Sequence, residues 1–150
     1  MNIGKYCTRN VITADIDSNI IEAAKVMRQH HVGSLVVVSR DNDGARPVGI
    51  VTDRDLVIEV LAEEVPVDSV TIEDVMTRSP ITAREDDDVF TTMQTMRSKG
   101  IRRIPITDSL GLLVGILTSD DLLAVIYEEM GNLVSLISHE QMEEYRKRSS

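Results

Sequence analysis

Apolar residues recur along this chain at two spacings, and the two alternate. Ile20, Ala23, Ala24 and Met27 stand at i, i+3, i+4 and i+7, which predicts a helix with one apolar face. Asp17-Ser18-Asn19 precede that helix and offer N-cap side chains, with Glu22 three residues after Asn19 to complete a capping box. Ser34-Leu35-Val36-Val37-Val38-Ser39 is a β-branched run short enough to be a buried strand. The turn Asn42-Asp43-Gly44 joins it to Val48-Gly49-Ile50-Val51, and the two predict a hairpin. With an extended piece at Val11-Ile12-Thr13 and a second helix from about Asp53 to Glu64, the order reads β-α-β-β-α.

That order then returns. A shift of 69 residues (82 − 13) puts Thr13-Ala14 on Thr82-Ala83, Met27-Arg28 on Met96-Arg97, and Leu35 on Ile104. Past a loop the shift is 66 (115 − 49), and Gly49-Ile50 meets Gly115-Ile116, Thr52 meets Thr118, and Asp55 meets Asp121. The change falls in the polar turn Arg40-Asp41-Asn42-Asp43-Gly44, where length differences cost little. The chain is a tandem repeat. In the second copy Asp86-Asp87-Asp88 opens a helix faced by Val89, Met93 and Met96. Its strand Ile104-Pro105-Ile106 carries a proline that cannot donate to a ladder, so Pro105 is expected at a sheet edge or with its nitrogen turned from any neighbour. The join Val65-Pro66-Val67-Asp68-Ser69-Val70 is too short for a flexible tether, and the two units are expected to pack together. The expected bounds are residues 1–65 and 66–127 for the repeats and 128–150 for a C-terminal helical extension.

The extension carries its own pattern. Leu122, Val125, Ile126, Met130, Leu133, Val134, Leu136, Ile137, Met142 and Tyr145 keep mostly helical spacing, and Gly131-Asn132 is expected to break them into two helices. A helix this apolar needs cover. It could fold back on its own domain or bury itself in a second copy; the second copy, making a homodimer, is the expected cover.

Composition narrows the function. Aromatics are 3% of the 150 residues with no Trp, so the core must rest on Val, Ile, Leu and Met. No apolar run reaches membrane-spanning length, Met1-Asn2-Ile3-Gly4-Lys5 is unlike a signal peptide, and the single Cys7 suits a reducing compartment. A cytoplasmic protein is expected. The net charge of −9 argues against nucleic acid or an anionic membrane as partner, but a small phosphorylated ligand answers to local cations instead. Arg146-Lys147-Arg148 reads as a solvated basic tip. His30-His31 lacks a cysteine or carboxylate at metal-ligand spacing, and His139 is alone, so no metal site is expected. Aspartates at Asp86-Asp87-Asp88 are favoured by the helix dipole and read as caps. There is no nucleophile–base pattern and no P-loop, so catalysis has no candidate residues.

The duplicated stretches Gly49-Ile50-Val51-Thr52-Asp53-Arg54-Asp55 and Gly115-Ile116-Leu117-Thr118-Ser119-Asp120-Asp121 carry the remaining chemistry. Each is an apolar strand that ends in Thr-x-x-Asp at a helix start. Taken alone, that spacing is a helix cap. In duplicate, at a strand-to-helix turn, it is equally a small-ligand contact.

In repeat order, in Val75-Met76-Thr77, in the strands Val32-Gly33-Ser34-Leu35-Val36-Val37 and Ile101-Arg102-Arg103-Ile104-Pro105-Ile106, and in the paired Gly-Ile-(Val/Leu)-Thr-x-x-Asp segments, the chain resembles the CBS domain pair, or Bateman module, from about Ile3 to Ile126. The resemblance implies an α+β fold with two repeats about a pseudo-two-fold axis. It implies a regulatory energy sensor, not an enzyme, whose two clefts take AMP, ADP, ATP or S-adenosylmethionine, with no obligatory cofactor. It also implies disc-like dimers and an unknown regulated protein. Carried over by motif, the first site comprises Thr52, Arg54, Asp55, Arg78, Pro80, Ile81, Arg102 and Arg103, and the second Arg9, Val11, Val32, Gly33, Ser34, Thr118 and Asp121. The aspartate would take the ribose diol, since an ionised carboxylate is an acceptor with two oxygens. Asp120 stands where the first copy has Arg54, and Gly33-Ser34 where the second has Arg102-Arg103. A carboxylate beside a phosphate is repulsive by roughly a few kcal/mol at an effective dielectric near 20. Nucleotide is therefore expected first, and more tightly, at the Asp55 site. A scaffold that uses the same fold only to dimerise is the alternative.

Overall fold

The computed structural model describes residues 1–149; Ser150, the last residue of the expected extension, lies outside them. A 3-10 turn at Ile3–Lys5 precedes β1 (Thr13–Asp15), α1 (Ile20–His30), β2 (Ser34–Arg40), β3 (Ala45–Thr52) and α2 (Asp53–Leu56). The second unit comprises α3 (Ile72–Val75), β4 (Thr77–Arg78), β5 (Ala83–Arg84), α4 (Val89–Lys99), β6 (Arg103–Thr107), β7 (Leu113–Thr118) and α5 (Ser119–Ser149). The mixed α+β architecture and its tandem repetition are those the sequence predicts.

Helix α1 starts where its cap is. Asn19 Oδ1 accepts from the Glu22 amide at 2.8 Å while the Glu22 carboxylate accepts from the Asn19 amide at 3.3 Å. The helix stops at His31, which takes the left-handed conformation (φ 54°) and sends its N–H to the Met27 carbonyl. Ile20, Ala23 and Met27 are buried, but Ala24 is exposed, so the buried stripe is narrower than the spacing suggested. Helix α4 is capped by Asp88, which accepts from the amides of Phe90 and Thr91, and closes at Gly100 (φ 66°).

Two features differ from expectation. The helix expected over 53–64 is α-helical only to Leu56 and then widens into a π-helical segment, Val57–Leu61, with i→i−5 bonds from Ala62 to Val57 and from Val65 to Val60. That winding keeps both Leu56 and Val60 in the core. The expected break at Gly131-Asn132 is absent, and α5 runs unbroken for 31 residues. One glycine inside a helix costs only about 1 kcal/mol, too little to stop good helix formers on both sides.

Each repeat is built on one small sheet, β1-β2-β3-β4, whose β4 comes from the second unit, and β5-β6-β7. Both hold a parallel pair, an antiparallel hairpin and one register shift, at Val37/Val38 and at Ile106/Thr107. Pro105 sits in the central strand β6, not at an edge. Its nitrogen occupies the place where, one repeat earlier, Val36 donates a long 3.4 Å bond to Ile12. The equivalent segment Ile81-Thr82 lies just before β5 begins, so the missing donor falls beyond the end of the parallel ladder.

The segments that lead into the repeats are exchanged. Ile3 is buried in the core of the second repeat with Ala83, Val89, Ile104, Ile106 and Leu117, and Ile72 and Met76 are buried in the core of the first. Strand β4 pairs with β3 through Ile50↔Thr77, while Thr8 bridges Ile116. Asn19 bridges Thr71, and Asn2 bridges Asp88. Applying the 69- and 66-residue shifts turns each of these pairs into the other, as a two-fold relation between repeats requires.

This exchange explains the strand glycines. A Cβ on Gly49 would overlap Met76 Sδ and lie 2.9 Å from both Met76 Cγ and the Thr77 carbonyl oxygen. On Gly115 it would lie 2.6 Å from Cys7 Sγ and 3.0 Å from the Thr8 carbonyl oxygen. Both glycines admit the crossing segment, which is a packing role.

Candidate ligand-binding site

Between the two sheets lie two clefts, each walled by both repeats. The first, about 490 Å³, is lined by Ile50 and Thr52 of β3, by Thr77, Ser79, Pro80 and Ile81 of the crossing segment, and by Ile101, Arg102 and Arg103 at the head of β6. The second, about 300 Å³, is lined by Ile116 and Thr118 of β7, by Thr8, Asn10, Val11 and Ile12, and by Val32, Gly33, Ser34 and Val36. The linings correspond under the repeat shift: Thr8 with Thr77, Val11 with Pro80, Ile12 with Ile81, Val32 with Ile101, Ile116 with Ile50. Two residues break that correspondence: Val36 lines the second cleft while its counterpart Pro105 does not line the first, and Arg103 lines both.

Of the residues expected at the first site, Thr52, Pro80, Ile81, Arg102 and Arg103 come together around one cleft. Arg54, Asp55 and Arg78 do not line it. Arg54 is exposed on α2. Asp55 is turned back onto its own helix start: its Oδ2 accepts from the Thr52 amide at 2.9 Å, and Thr52 Oγ1 accepts from the Asp55 amide at 3.1 Å. The guanidinium of Arg78 is held by the Glu73 carboxylate at 3.2 Å and the Glu73 carbonyl at 3.3 Å.

At the second site, Val11, Val32, Gly33, Ser34 and Thr118 line the cleft, and Arg9 and Asp121 do not. Asp121 repeats the capping box, with Oδ2 accepting from the Thr118 amide at 3.0 Å. Arg9 repeats the geometry of Arg78, donating to Glu85 at 2.9 Å and to the Gly4 carbonyl at 2.8 Å. The hydrogen bond from Arg9 to Glu85 raises Arg9 above its ordinary value.

Of the two places where the sequence put an electrostatic contrast between the sites, the cleft walls carry only one. Arg54 and Asp120 are both exposed and both off the linings. What differs at the walls is Arg102, present in the first cleft and replaced by Gly33 in the second, whereas Arg103 serves both. Sequence reasoning missed Ile50, Thr77, Ser79 and Ile101 in one cleft and Thr8, Asn10, Ile12, Val36, Ile116 and Arg103 in the other. The repeat shift was the signal for two of these, since Val32, assigned to the second site, names Ile101 in the first, and Ile81, assigned to the first, names Ile12 in the second. Nothing in the sequence signalled the double position of Arg103.

Each cleft combines branched aliphatic walls with hydroxyls and a guanidinium. Aliphatic walls accept a flat apolar group, and a guanidinium pairs with phosphate or carboxylate through two parallel hydrogen bonds. No cluster of three or more His, Cys, Asp or Glu side chains suited to a metal occurs among the described residues.

A doubled β-α-β-β-α unit with exchanged leading segments and two inter-repeat clefts defines a paired-repeat module. The chain belongs to the CBS domain family, whose profile matches residues 3–62 and 72–128. It is 41% identical over 125 residues to uncharacterized protein MK0525 of Methanopyrus kandleri, covering 83% of this chain and 62% of that protein. The fold superposes on the CBS domain pair of protein MJ0100 in complex with 5'-methylthioadenosine and S-adenosyl-L-methionine (32% identity, TM-score 0.70, 86% of this chain and 98% of that one). It also superposes on CBS domain protein PAE2072 of Pyrobaculum aerophilum complexed with AMP (28% identity, TM-score 0.71, 81% and 89%).

Proposed function

We propose that this chain is a regulatory module that takes an adenosine-containing ligand in the clefts between its repeats and reports occupancy to a partner protein. The observation that carries the reading is the first cleft itself. It joins an aliphatic slot of Ile50, Pro80, Ile81 and Ile101 to two guanidiniums, with walls drawn from both repeats. The adenosine ligands of the MJ0100 and PAE2072 neighbours support the same class of ligand here. In this reading the base lies against the aliphatic walls, and Arg102 and Arg103 take the phosphates of a nucleotide or the carboxylate of S-adenosylmethionine. Thr52 and Asp55 serve the ribose. The cap occupies Asp55 Oδ2, and a carboxylate has a second oxygen to offer.

The first cleft is the tighter site for an anionic ligand, on the strength of Arg102 and its larger volume. Signalling requires that the ligand favour one geometry of the repeats over another. Exposed apolar side chains suit a homodimer in the cytoplasm: Val57, Ile58 and Leu61, with Leu123 and Tyr127 at the repeat positions of Val57 and Leu61.

Titration calorimetry with AMP, ATP and S-adenosylmethionine tests the reading. Arg102→Met is expected to weaken only the tighter site and Arg103→Met to weaken both. A ligand at about 100 times its Kd stabilises by roughly 2.7 kcal/mol, so a thermal-shift panel reads the same question. No heat and no shift with any of the three would overturn ligand sensing and leave the scaffold reading.

A further inference from the structure

The position that Arg103 occupies is a partition between the two clefts. Its chain neighbour Arg102 lines the first, and its cross-strand partner Thr118 lines the second. The first repeat has the same arrangement, since Ser34 follows Gly33 of the second cleft and pairs with Thr52 of the first. A serine is too short to serve both sides, and Ser34 lines only the second cleft. An arginine is long enough, and Arg103 lines both.

Among the described residues neither Arg102 nor Arg103 has a side-chain hydrogen bond or ion pair, whereas Arg9, Arg40, Arg46, Arg78 and Arg84 each hold a carboxylate. Arg103 is also the one charged residue among those that line the second cleft. The Asp53 carboxylate stands beside that wall, 3.1 Å from where a Cβ on Gly33 would be, so an anion there depends on Arg103 all the more. In the first cleft Arg102 stands with Arg103.

We infer that Arg103 makes the two clefts compete for one cation: an anionic ligand in the first lowers the affinity of the second for another anion. A guanidinium is planar, and a bidentate pair with a phosphate or carboxylate fixes the direction of its fork. Committed to one cleft, it leaves the second with hydroxyls, an amide and apolar walls, or the first with Arg102 alone. Linkage makes the effect mutual, so an anion held in the second cleft weakens the first by the same factor. A neutral ligand does not engage the guanidinium, and it fills each cleft independently. The module therefore takes one anionic nucleotide readily and a second only at much higher concentration.

This inference rests on the proposed adenosine-ligand reading, so the test reads occupancy and coupling separately. Methyl NMR of the full-length chain reports each cleft on its own, through Ile50 and Ile101 in the first and Ile12 and Ile116 in the second. Ile81→Trp, at an exposed position of the first cleft, fills that cleft and silences its two reporters. In this variant AMP is expected to half-fill the second cleft at a concentration about tenfold lower than in wild type, an ordinary size for coupling between sites. Adenosine is expected to half-fill it at the same concentration in both chains. Arg103→Met is expected to weaken AMP at both clefts and to abolish the difference that Ile81→Trp makes. Should Ile81→Trp not fold or not block, Arg102→Met takes its place: by weakening only the first cleft, it is expected to lower the AMP midpoint of the second. Equal AMP midpoints at the second cleft in variant and wild type, or a cleft that AMP leaves empty in every chain, overturn the sharing and keep the ligand reading. A difference of the same size with adenosine, or one that survives Arg103→Met, also overturns the sharing and assigns the coupling to the packing of the repeats. No response of any of these isoleucines to AMP or adenosine overturns both.

Discussion

Replacing Gly115 with alanine tests the exchange of leading segments on which both clefts depend. The new methyl would sit 2.6 Å from Cys7 Sγ and 3.0 Å from the Thr8 carbonyl oxygen, where unstrained contacts to carbon lie near 3.5–4.0 Å. Thr8 cannot withdraw freely, because it exchanges two 2.9 Å backbone bonds with Ile116. Overpacking of this kind costs about 1–3 kcal/mol. At roughly 2–4 °C per kcal/mol for a domain of this size, Tm should fall by about 2–12 °C. Cys7→Ala removes the sulfur but not the Thr8 oxygen, so the double variant should recover part of the loss. Urea unfolding of wild type, both single variants and the double variant closes the cycle, and the coupling should exceed the ~0.5 kcal/mol scatter of independent sites. A Gly115→Ala chain as stable as wild type, or strictly additive single losses, would refute the packing role of the glycine. Gly49→Ala should cost less if the flexible Met76 side chain turns aside, although the Thr77 carbonyl at 2.9 Å still resists.

Further outcomes follow from the same geometry. Burial pushes the Cys7 thiol above its ordinary value, so a thiol reagent at pH 7 should label native chain far more slowly than chain unfolded in urea; equal rates would contradict the packing against Gly115. Asp88 is held below the ordinary carboxylate range, chiefly by the Thr91 amide, so its folded value is depressed and its contribution is present above the unfolded value near 4. Stability from this group is lost as pH falls through the folded value, and Asp88→Asn should flatten the Tm profile below about pH 4 relative to wild type. Thr52→Ala removes the α2 N-cap and should cost about 0.5–2 kcal/mol without ligand, read by urea unfolding. Asp55→Ala disturbs the same cap, so its effect on nucleotide affinity is best compared with Arg102→Met, which leaves the cap intact.

How far the sequence reaches can be judged from particular residues. Asn19, Asp88, Thr52 and Thr118 each cap the helix that follows them, because a cap is satisfied within three residues and needs no tertiary partner. The hairpins were legible for the same reason, since alternation and turn chemistry are local. The roles of Asp55 and Asp121 divide along this line: their capping is local and observed, and their ribose contacts are proposed. Arg54, Arg78 and Arg9 were assigned to sites by position in a motif, and the structure turns them to solvent or to Glu73 and Glu85. A motif specifies where a residue lies in the chain, and the direction of a long side chain depends on which acid comes near it after folding.

The sequence by itself determined the doubled unit, the order of its elements and their caps, since each of these follows from spacing along the chain. Tertiary structure alone decided that Ile3 and Ile72 cross into each other's repeat, and that Gly49 and Gly115 are kept small by Met76 and Cys7. It also decided that Arg103 reaches both clefts. These are contacts between segments far apart in the chain, made only when the two repeats pack, and no local periodicity records them.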